Sequence, residues 1–394
     1  MPGSVIIGGA RTPIGKLLGA LSGLPAPRLG AAAVAAAVER AGIEPDRVGT
    51  VVMGTVVQAG VGPNPARQAA ALAGLPMGVP ATTVNKLCLS GLHAVALADL
   101  MVSAGLHDVV VCGGMESMTR APHLLPGART GYRFGPATAL DALDADALGC
   151  AFDSISMGAA TEGYQAHLGI SREEQDAFAA RSHQRAAEAA QAGRFADEIV
   201  PVPVPTRGAE VTVTDDEGIR VGITAESLGR LRPAFAPDGT ITAGSSSQLS
   251  DGACALVVTS RDFAERHGLA PLAEIGAYGT VAGPDPSLLS QPANAVRDAL
   301  ARDGSLKASD LDLLEINEAF AGVAIQSTRE LDVDPDRVNV NGGAIALGHP
   351  VGMSGARLVF SLALELRRRG GGTGIAALCG GGGQGDALLL RSTS

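Results

Sequence analysis

Two hydrophobic patterns alternate along both ends of the chain. Short, fully apolar runs indicate buried strands, and longer alanine-rich or amphipathic runs indicate helices. In the first part, strands are predicted at 5–8, 48–57, 81–84 and 108–112, and helices at 28–42, 64–75 and 90–103. In the last part, strands are predicted at 253–259, 311–316, 338–341, 374–379 and 387–391, and helices at 291–301, 319–331 and 354–369. This alternation predicts an α/β fold.

The middle of the chain, from about residue 116 to residue 250, breaks this pattern with prolines, charges and short irregular pieces. One helix is predicted there. Ser171 caps its start, Glu174 forms a capping box with Ser171, and Gly193 ends the helix. A central strand after this helix is excluded by Pro201, Pro203 and Pro205. We therefore expect an insertion that covers another part of the molecule.

The two α/β segments resemble each other internally. The matching pieces, in order, are Val84-Asn85, Ser90-Gly91 and Cys112-Gly113-Gly114 in the first segment and Val340-Asn341, Ser354-Gly355 and Cys379-Gly380-Gly381 in the second. We infer two copies of one α/β unit, packed about a pseudo-twofold axis with equivalent turns facing one another. This arrangement would bring Cys88 of the first copy near His349 and Cys379 of the second.

These three residues are of types that carry out catalysis. Cys88 lies just before a predicted helix, whose exposed N–H groups favour an anionic sulfur, so we predict a thiol that ionises more easily than free cysteine. His349 and Cys379 lie in glycine-rich segments, where a ligand can approach the backbone. A single cysteine more often only fills space, as we predict for Cys112, but the three residues together indicate a nucleophile and a base.

Composition narrows the class of function. The net charge is −10 and the only lysines are Lys16, Lys86 and Lys307, so no basic tract is available to bind nucleic acid. No apolar run is long enough to span a bilayer, which predicts no membrane partner. The five cysteines form no CxxC pair and no apolar leader precedes the first strand, which predicts a cytoplasmic protein. No cysteine or histidine pair has the spacing of a metal site.

Five motifs, which follow one another over essentially the whole chain, resemble those of the thiolase family. They are Asn85-Lys-Leu-Cys-Leu-Ser-Gly91, Gly113-Gly-Met-Glu-Ser117, Asn317-Glu-Ala-Phe-Ala321, Gly342-Gly-Ala-Ile-Ala-Leu-Gly-His-Pro350 and Cys379-Gly-Gly-Gly-Gly-Gln-Gly385. They are most similar to the motifs of bacterial acetyl-CoA acetyltransferases, which join two molecules of acetyl-CoA into acetoacetyl-CoA and CoA.

The resemblance implies a duplicated α/β core in five layers (αβαβα), with an inserted loop domain that binds CoA, and a homotetramer made of two dimers. The expected domains are a first core half at 1–118 plus about 250–270, the loop domain at 119–249 and a second core half at 271–394. CoA takes part as substrate and product, and no other cofactor and no metal are expected.

The resemblance also implies a role for each site residue. Cys88 would accept the acetyl group, His349 would take the Cys88 proton, and Cys379 would remove a proton from the second acetyl-CoA. One oxyanion hole would consist of His349 and a water held by Asn317. The other would consist of the backbone N–H groups of Cys88 and Gly381.

The family's CoA contacts correspond to Leu148, Met157, Arg220, Phe235, Ala243, Ser247 and Leu249 of this chain. Arg220 would face the adenine and Ser247 the pantetheine amide, and Met157 and Phe320 would shape the acyl pocket. Arg220 could instead be a solvated charge in an acidic stretch. Ser156 departs from the family pattern, because many acetyl-specific members carry histidine there, and this leaves one pantetheine contact and the acyl-length preference open.

Three alternatives to an acetyl-specific enzyme remain at this point. A degradative 3-ketoacyl-CoA thiolase of broader chain length would use the same catalytic residues. A decarboxylating ketosynthase shares the implied fold, but Cys379 stands where its second histidine belongs. A non-catalytic acyl-CoA-binding protein would form no acetylated intermediate.

Overall fold

The computed structural model describes residues 3–206 and 208–393. In these ranges the strands β1 to β16 span Ser4–Arg11, Gly15–Lys16, Thr50–Gly54, Ala81–Val84, Val109–Ser117, His123–Leu124, Leu140–Asp141, Gly149–Cys150, Ile155–Ser156, Val202–Pro205, Glu210–Val213, Ser250–Ser260, Ala273–Ala282, Leu313–Ile316, Gly371–Gly380 and Gln384–Thr393. The helices α1 to α11 span Ala26–Arg40, Pro65–Leu72, Ser90–Ser103, Met157–Gln165, Arg172–Gln191, Ala225–Leu228, Arg261–Arg266, Gln291–Asp303, Ala321–Leu331, Ala344–Leu347 and Ser354–Arg368.

The largest sheet consists of two halves with the same pairing. Its strand order is β14-β15-β16-β13-β1-β12-β5-β3-β4, and β2 pairs with β12. In the first half β5 is parallel to β3 and antiparallel to β12, and in the second half β15 is parallel to β14 and antiparallel to β16. β1 and β13 join the halves through a short antiparallel contact. The internal resemblance of the sequence therefore corresponds to a duplicated unit.

Helices form three layers around the two halves of this sheet. α3 and α11 form the inner layer, where they pack on each other and contact strands from both halves. α1 and α2 pack on the outer face of the first half, and α8 and α9 pack on that of the second. The result is the mixed α/β fold in five layers. No helix in residues 3–206 and 208–393 is both long enough and apolar enough to cross a lipid bilayer.

The prediction of a strand at 338–341 is wrong. Only Val338 pairs, in a single parallel bridge with Leu314. Asn339 has a φ of 50°, which turns the chain out of the strand conformation. Its side-chain amide replaces the missing backbone pairing, since Oδ1 accepts from the Ile316 N–H at 2.8 Å and Nδ2 donates to the Ile316 carbonyl at 2.8 Å.

The insertion between β5 and β12 contains α4 to α6 and three two-stranded sheets. Ser171 caps α5 as predicted, since its Oγ accepts from the Glu174 N–H at 3.2 Å, and Gly193 follows the helix with a φ of 71°. The predicted capping box is wrong because the Glu174 carboxylate pairs with Arg329 instead. The three prolines lie in or beside β10, which forms a hairpin with β11 outside the main sheet.

Candidate active site

Cys88 lies in a strained turn between β4 and α3. Leu87, the residue before it, has a φ of 53°, a conformation that costs a non-glycine residue about 1 kcal/mol. The Ser90 Oγ supports the turn, since it accepts from the Lys86 N–H at 2.8 Å and donates to the Leu87 carbonyl at 2.6 Å. The Asn85 Oδ1 also accepts from the Leu87 N–H. Three hydrogen bonds thus hold the turn that places the sulfur just before an inner helix.

The expected easy ionisation of Cys88 is wrong for the free protein. Burial raises the pKa of this thiol to about 11, although the backbone N–H groups of Cys88 and Gly381 act in the opposite direction. The negative charge of Glu116 raises the pKa further. The helix start is present as predicted, but loss of water around the sulfur outweighs it. Cys88 therefore needs a base before it can attack a substrate.

His349 has the properties of that base. The Ser354 hydroxyl donates to the Pro350 carbonyl at 3.0 Å and lies 2.6 Å from His349 Nδ1. Because a hydroxyl has only one proton, this network assigns the proton of the imidazole to Nδ1 and leaves a lone pair on Nε2. Burial lowers the pKa of His349 to about 4, and the charge of Arg357 acts in the same direction. The imidazole is consequently neutral at physiological pH.

Asn317 follows β14 and faces the same imidazole. Its Nδ2 lies 3.4 Å from His349 Nε2. The side chain is fully buried, and its Oδ1 has no hydrogen-bond partner among the described residues. A buried carbonyl oxygen of this kind normally binds a water or a ligand group. Asn317 and His349 therefore line a place for one small polar group.

Cys379 lies near the end of β15, the parallel neighbour of β14, so that both strands lead into the site at their carboxyl ends. Burial raises the pKa of Cys379 far above that of free cysteine, and the nearby Cys88 sulfur raises it further. The chain then turns through Gly381, where an added Cβ would lie 2.3 Å from the Met157 side chain and 2.8 Å from Leu87. A side chain at this position would therefore require Met157 or Leu87 to move.

Two buried glutamates that we did not assign from the sequence hold the His349 loop. Glu116 accepts from the Gly352 N–H at 3.0 Å and from two N–H groups that follow β3. Glu318 accepts from the Ile345 N–H at 3.0 Å and from two side chains. Burial raises the pKa of both, to about 7 for Glu116. An acidic residue at or shortly after the end of an apolar run is the sequence signal that could have identified them.

Met157 and Phe320 lie with Cys379 in one small apolar cluster that also contains Leu288. Phe235 packs edge to face on Phe320, with ring centroids 5.8 Å apart. The surroundings of Cys379 on this side are therefore apolar.

Ser156, the departure from the family pattern, caps the helix that carries Met157. Its Oγ accepts from the Ala159 N–H at 3.1 Å, and α4 begins at the next residue. Its side-chain oxygen is therefore already used within the chain and supports the position of Met157.

The remaining predicted CoA contacts lie on the insertion and on the segment before β12. Leu148 and Leu249 pack at the edge of the core that contains Cys88, and Ala243 is exposed. The Ser247 N–H donates to the Ala319 carbonyl at 3.0 Å, which joins this segment to the residue before Phe320.

Arg220 is exposed at the end of a segment that is firmly anchored. Asp216 forms two hydrogen bonds with the buried Arg11, at 2.7 and 2.8 Å. Glu217 accepts from the backbone N–H groups of Lys16 and Ala20. Asp216 and Glu217 therefore have structural roles, and Arg220 remains accessible for a ligand.

The chain is similar to known proteins over its whole length. Residues 4–262 match the family description "Thiolase, N-terminal domain" and residues 269–392 match "Thiolase, C-terminal domain". A Mycolicibacterium smegmatis protein named "Probable acetyl-CoA acetyltransferase" is 56% identical over 388 residues, which are 98% of this chain and 100% of that protein. The acetyl-CoA acetyltransferase of Cupriavidus necator is 48% identical over 98% of each chain. The crystal structure of the Bacillus anthracis acetyl-CoA acetyltransferase superposes with a TM-score of 0.96 at 41% identity and covers 99% of each chain.

Proposed function

Because this chain belongs to the thiolase family, we propose that it is an acetyl-CoA C-acetyltransferase that condenses two acetyl-CoA molecules into acetoacetyl-CoA and CoA, and catalyses the reverse thiolysis. The observation that carries this proposal is the arrangement around Cys88. A second thiol, Cys379, lies near it. The neutral imidazole of His349 faces the amide nitrogen of Asn317, whose amide oxygen has no hydrogen-bond partner among the described residues.

In the first half-reaction, His349 Nε2 takes the proton of Cys88, and the thiolate attacks the carbonyl carbon of acetyl-CoA. The bond from that carbon to the CoA sulfur breaks, which leaves acetyl-Cys88 and a CoA thiolate. Because burial keeps Cys379 protonated, it can give its proton to the departing CoA sulfur. Cys379 is then a thiolate, as its next role requires.

In the second half-reaction, the Cys379 thiolate removes a proton from the methyl group of a second acetyl-CoA. The resulting carbanion attacks the acetyl carbon on Cys88, and the Cys88 sulfur leaves and recovers its proton from His349. His349 and a water held by Asn317 would bind the enolate oxygen, while the N–H groups of Cys88 and Gly381 would bind the other developing oxyanion.

Residues 119–249 are proposed as the loop domain that binds CoA, between core halves at 1–118 plus about 250–270 and at 271–394. Arg220 would face the adenine and Ser247 the pantetheine, and Leu148, Phe235, Ala243 and Leu249 would line the same path. The anchored position of the Arg220 segment and the link from Ser247 to Ala319 support this assignment. A cytoplasmic location agrees with five cysteines that are all free thiols and all lie within the described residues.

A homotetramer is proposed from the exposed apolar side chains on the segment from β6 to β7. Phe134 is fully exposed, and Tyr132, Leu125 and Leu140 are exposed by 48%, 54% and 42%. Such a patch is typical of a surface that another subunit covers. Light scattering should give the mass of four chains, and Phe134→Ser should reduce it. A wild-type mass of one or two chains would contradict the tetramer.

Incubation with acetyl-CoA followed by peptide mass spectrometry tests the proposed function. We expect one acetyl group per chain, on Cys88. A folded protein that stays unlabelled would instead be a non-catalytic acyl-CoA-binding protein.

The acyl-length preference needs a separate measurement. Thiolysis of acetoacetyl-CoA should be faster than thiolysis of a ten-carbon 3-ketoacyl-CoA, because Met157, Phe320 and Leu288, which lie in one apolar cluster with Cys379, would limit the length of the acyl chain. Equal rates would identify a degradative thiolase of broader chain length.

A further inference from the structure

Lys86 lies in the turn at 85–90 that holds Cys88, and it makes a charged contact with the second half of the chain. Its Nζ lies 2.7 and 3.0 Å from the two carboxylate oxygens of Asp386. It also donates to the Thr280 hydroxyl at 3.0 Å and to the Tyr278 hydroxyl at 3.3 Å. Among the ion pairs of the described residues, this is the one that joins the turn at 85–90 to β13 and β16.

The partner of Lys86 is rigidly placed. Asp386 is fully buried on β16, where it lies opposite Thr280 on one side and Leu378 on the other. Leu378 directly precedes Cys379. The Asp386 side chain is fully buried and that of Lys86 is only 20% exposed. Their ion pair is therefore held more firmly than a pair on the surface.

A contact from α3, the helix that follows this turn, strengthens this connection. His93 on α3 lies with its Nδ1 3.1 Å from the Tyr278 hydroxyl. Burial lowers the pKa of His93, and the charge of Lys86 acts in the same direction, so the ring is neutral beside the ammonium group. Tyr278 thus receives polar contacts from both ends of the segment that contains Cys88.

This connection matters because the N–H groups that point at the Cys88 sulfur come from the two halves of the chain. One is the N–H of Cys88 itself, and the other is the N–H of Gly381, in the turn between β15 and β16. Leu87, whose backbone is strained, touches the position of Gly381 directly. Any relative shift of the turn and the hairpin would move these two donors apart.

We propose that Lys86 and Asp386 are positioning residues, whose ion pair holds the Cys88 turn against the β15–β16 hairpin and so keeps the Cys88 and Gly381 N–H groups aimed at one point. The pair touches neither the sulfur nor any reacting atom. Its role in catalysis rests on the proposed function, whereas its effect on the Cys88 thiol does not.

The variants Lys86→Gln, Asp386→Asn and the double variant test the proposal in two assays. The first assay is the pH dependence of Cys88 alkylation by iodoacetamide, which needs no acyl-CoA. Glu116 and Cys379 also face this sulfur and are left unchanged in all variants. Each single variant should move the midpoint upward by about one pH unit, because the thiolate loses the Gly381 N–H.

The second assay is acetoacetyl-CoA formation. The value of kcat should fall by about tenfold to a hundredfold, with a smaller change in KM, since displaced donors affect the transition state more than substrate binding. The double variant should lose no more than the worse single variant, because the two residues act as one unit. Lys86→Arg should restore most of the activity.

Arg261→Gln is the matched control. It removes another ion pair between the two halves, that of Arg261 with Glu274 on β13, at a distance from the site. Both assays should match wild type. If the Lys86 and Asp386 variants melt at lower temperature but keep the wild-type alkylation profile, the pair is only structural and the proposal is wrong. If the variants shift the alkylation profile but the wild-type protein itself has no acetyltransferase activity, the positioning role is upheld and the proposed function is rejected.

Discussion

Cys112 and Cys379 occupy equivalent places in the two halves, yet only Cys379 reaches the candidate site. Each lies on a strand that is parallel to one neighbour and antiparallel to the other, and both are buried. After Cys112, β5 continues to Ser117, so this thiol stays inside the sheet opposite Leu256. After Cys379, β15 ends at Gly380 and the chain turns back. Cys112 is therefore a packing residue and Cys379 a candidate base because the chain continues differently after each cysteine.

The serines that open the two inner helices show the opposite behaviour. Ser90 and Ser354 are the first residues of α3 and α11. Each hydroxyl donates to a carbonyl in the turn before its helix, that of Leu87 or that of Pro350. Ser90 thereby shapes the nucleophile turn, and Ser354 orients His349. The duplicated unit thus keeps the same support in both halves and differs in the group that it supports.

The largest expected effect comes from Cys379→Ser. This variant should still acquire an acetyl group on Cys88, because the first half-reaction needs no carbon base and a CoA thiolate can leave without the proton of Cys379. Condensation should fall by about a hundredfold to ten-thousandfold, the usual contribution of a general base. Mass spectrometry of the labelled peptide and a coupled assay for acetoacetyl-CoA measure the two steps. Loss of labelling would contradict the role assigned to Cys379.

The equivalent substitution Cys112→Ser provides the comparison. Its hydroxyl would enter a fully apolar part of the core, so the melting temperature should fall. Activity per folded molecule should remain at the wild-type level, which steady-state kinetics on the soluble fraction can establish. A loss of condensation similar to that of Cys379→Ser would show that the two halves share the chemistry after all.

A smaller effect is expected from Ser354→Ala. The Nδ1–H of His349 would lose its acceptor, and the imidazolium that forms when Cys88 is deprotonated would be less stable. Acetylation of Cys88 should slow about tenfold in single-turnover experiments. Ser361→Ala is the control on the same helix, since the Ser361 hydroxyl is buried without a partner among the described residues and its removal should leave the rate unchanged.

The smallest effect concerns Glu116, which lies on the part of β5 that has no counterpart in the second half. Burial raises its pKa from 4.5 to about 7, so the folded protein holds this proton more tightly than the unfolded chain. The stability of wild type relative to Glu116→Gln should therefore be fully present below about pH 4.5 and decline as the pH rises through about 7. Melting curves of both proteins between pH 4.5 and pH 8 measure this. A difference that stays constant with pH would mean that Glu116 titrates normally.

The sequence alone determined the α/β class, the duplication and the family, because these depend on hydrophobic periodicity and on motifs that are local in the chain. Most strands and helices lie within a few residues of their predicted bounds. The strand predicted at 338–341 failed because the Asn339 side chain competes for the backbone groups of Ile316, a long-range interaction that no local pattern shows.

Only the tertiary structure decided the protonation states and the supports of the candidate site. Cys88 does lie just before a helix, but desolvation by burial reverses the expected effect on its pKa. The contacts of Glu116 and Lys86 join segments that are far apart in the chain. The contact of Ser354 with His349 depends on where the two side chains point. Electrostatic energies depend on burial and on distances of a few ångströms, and these exist only once the two halves have packed together.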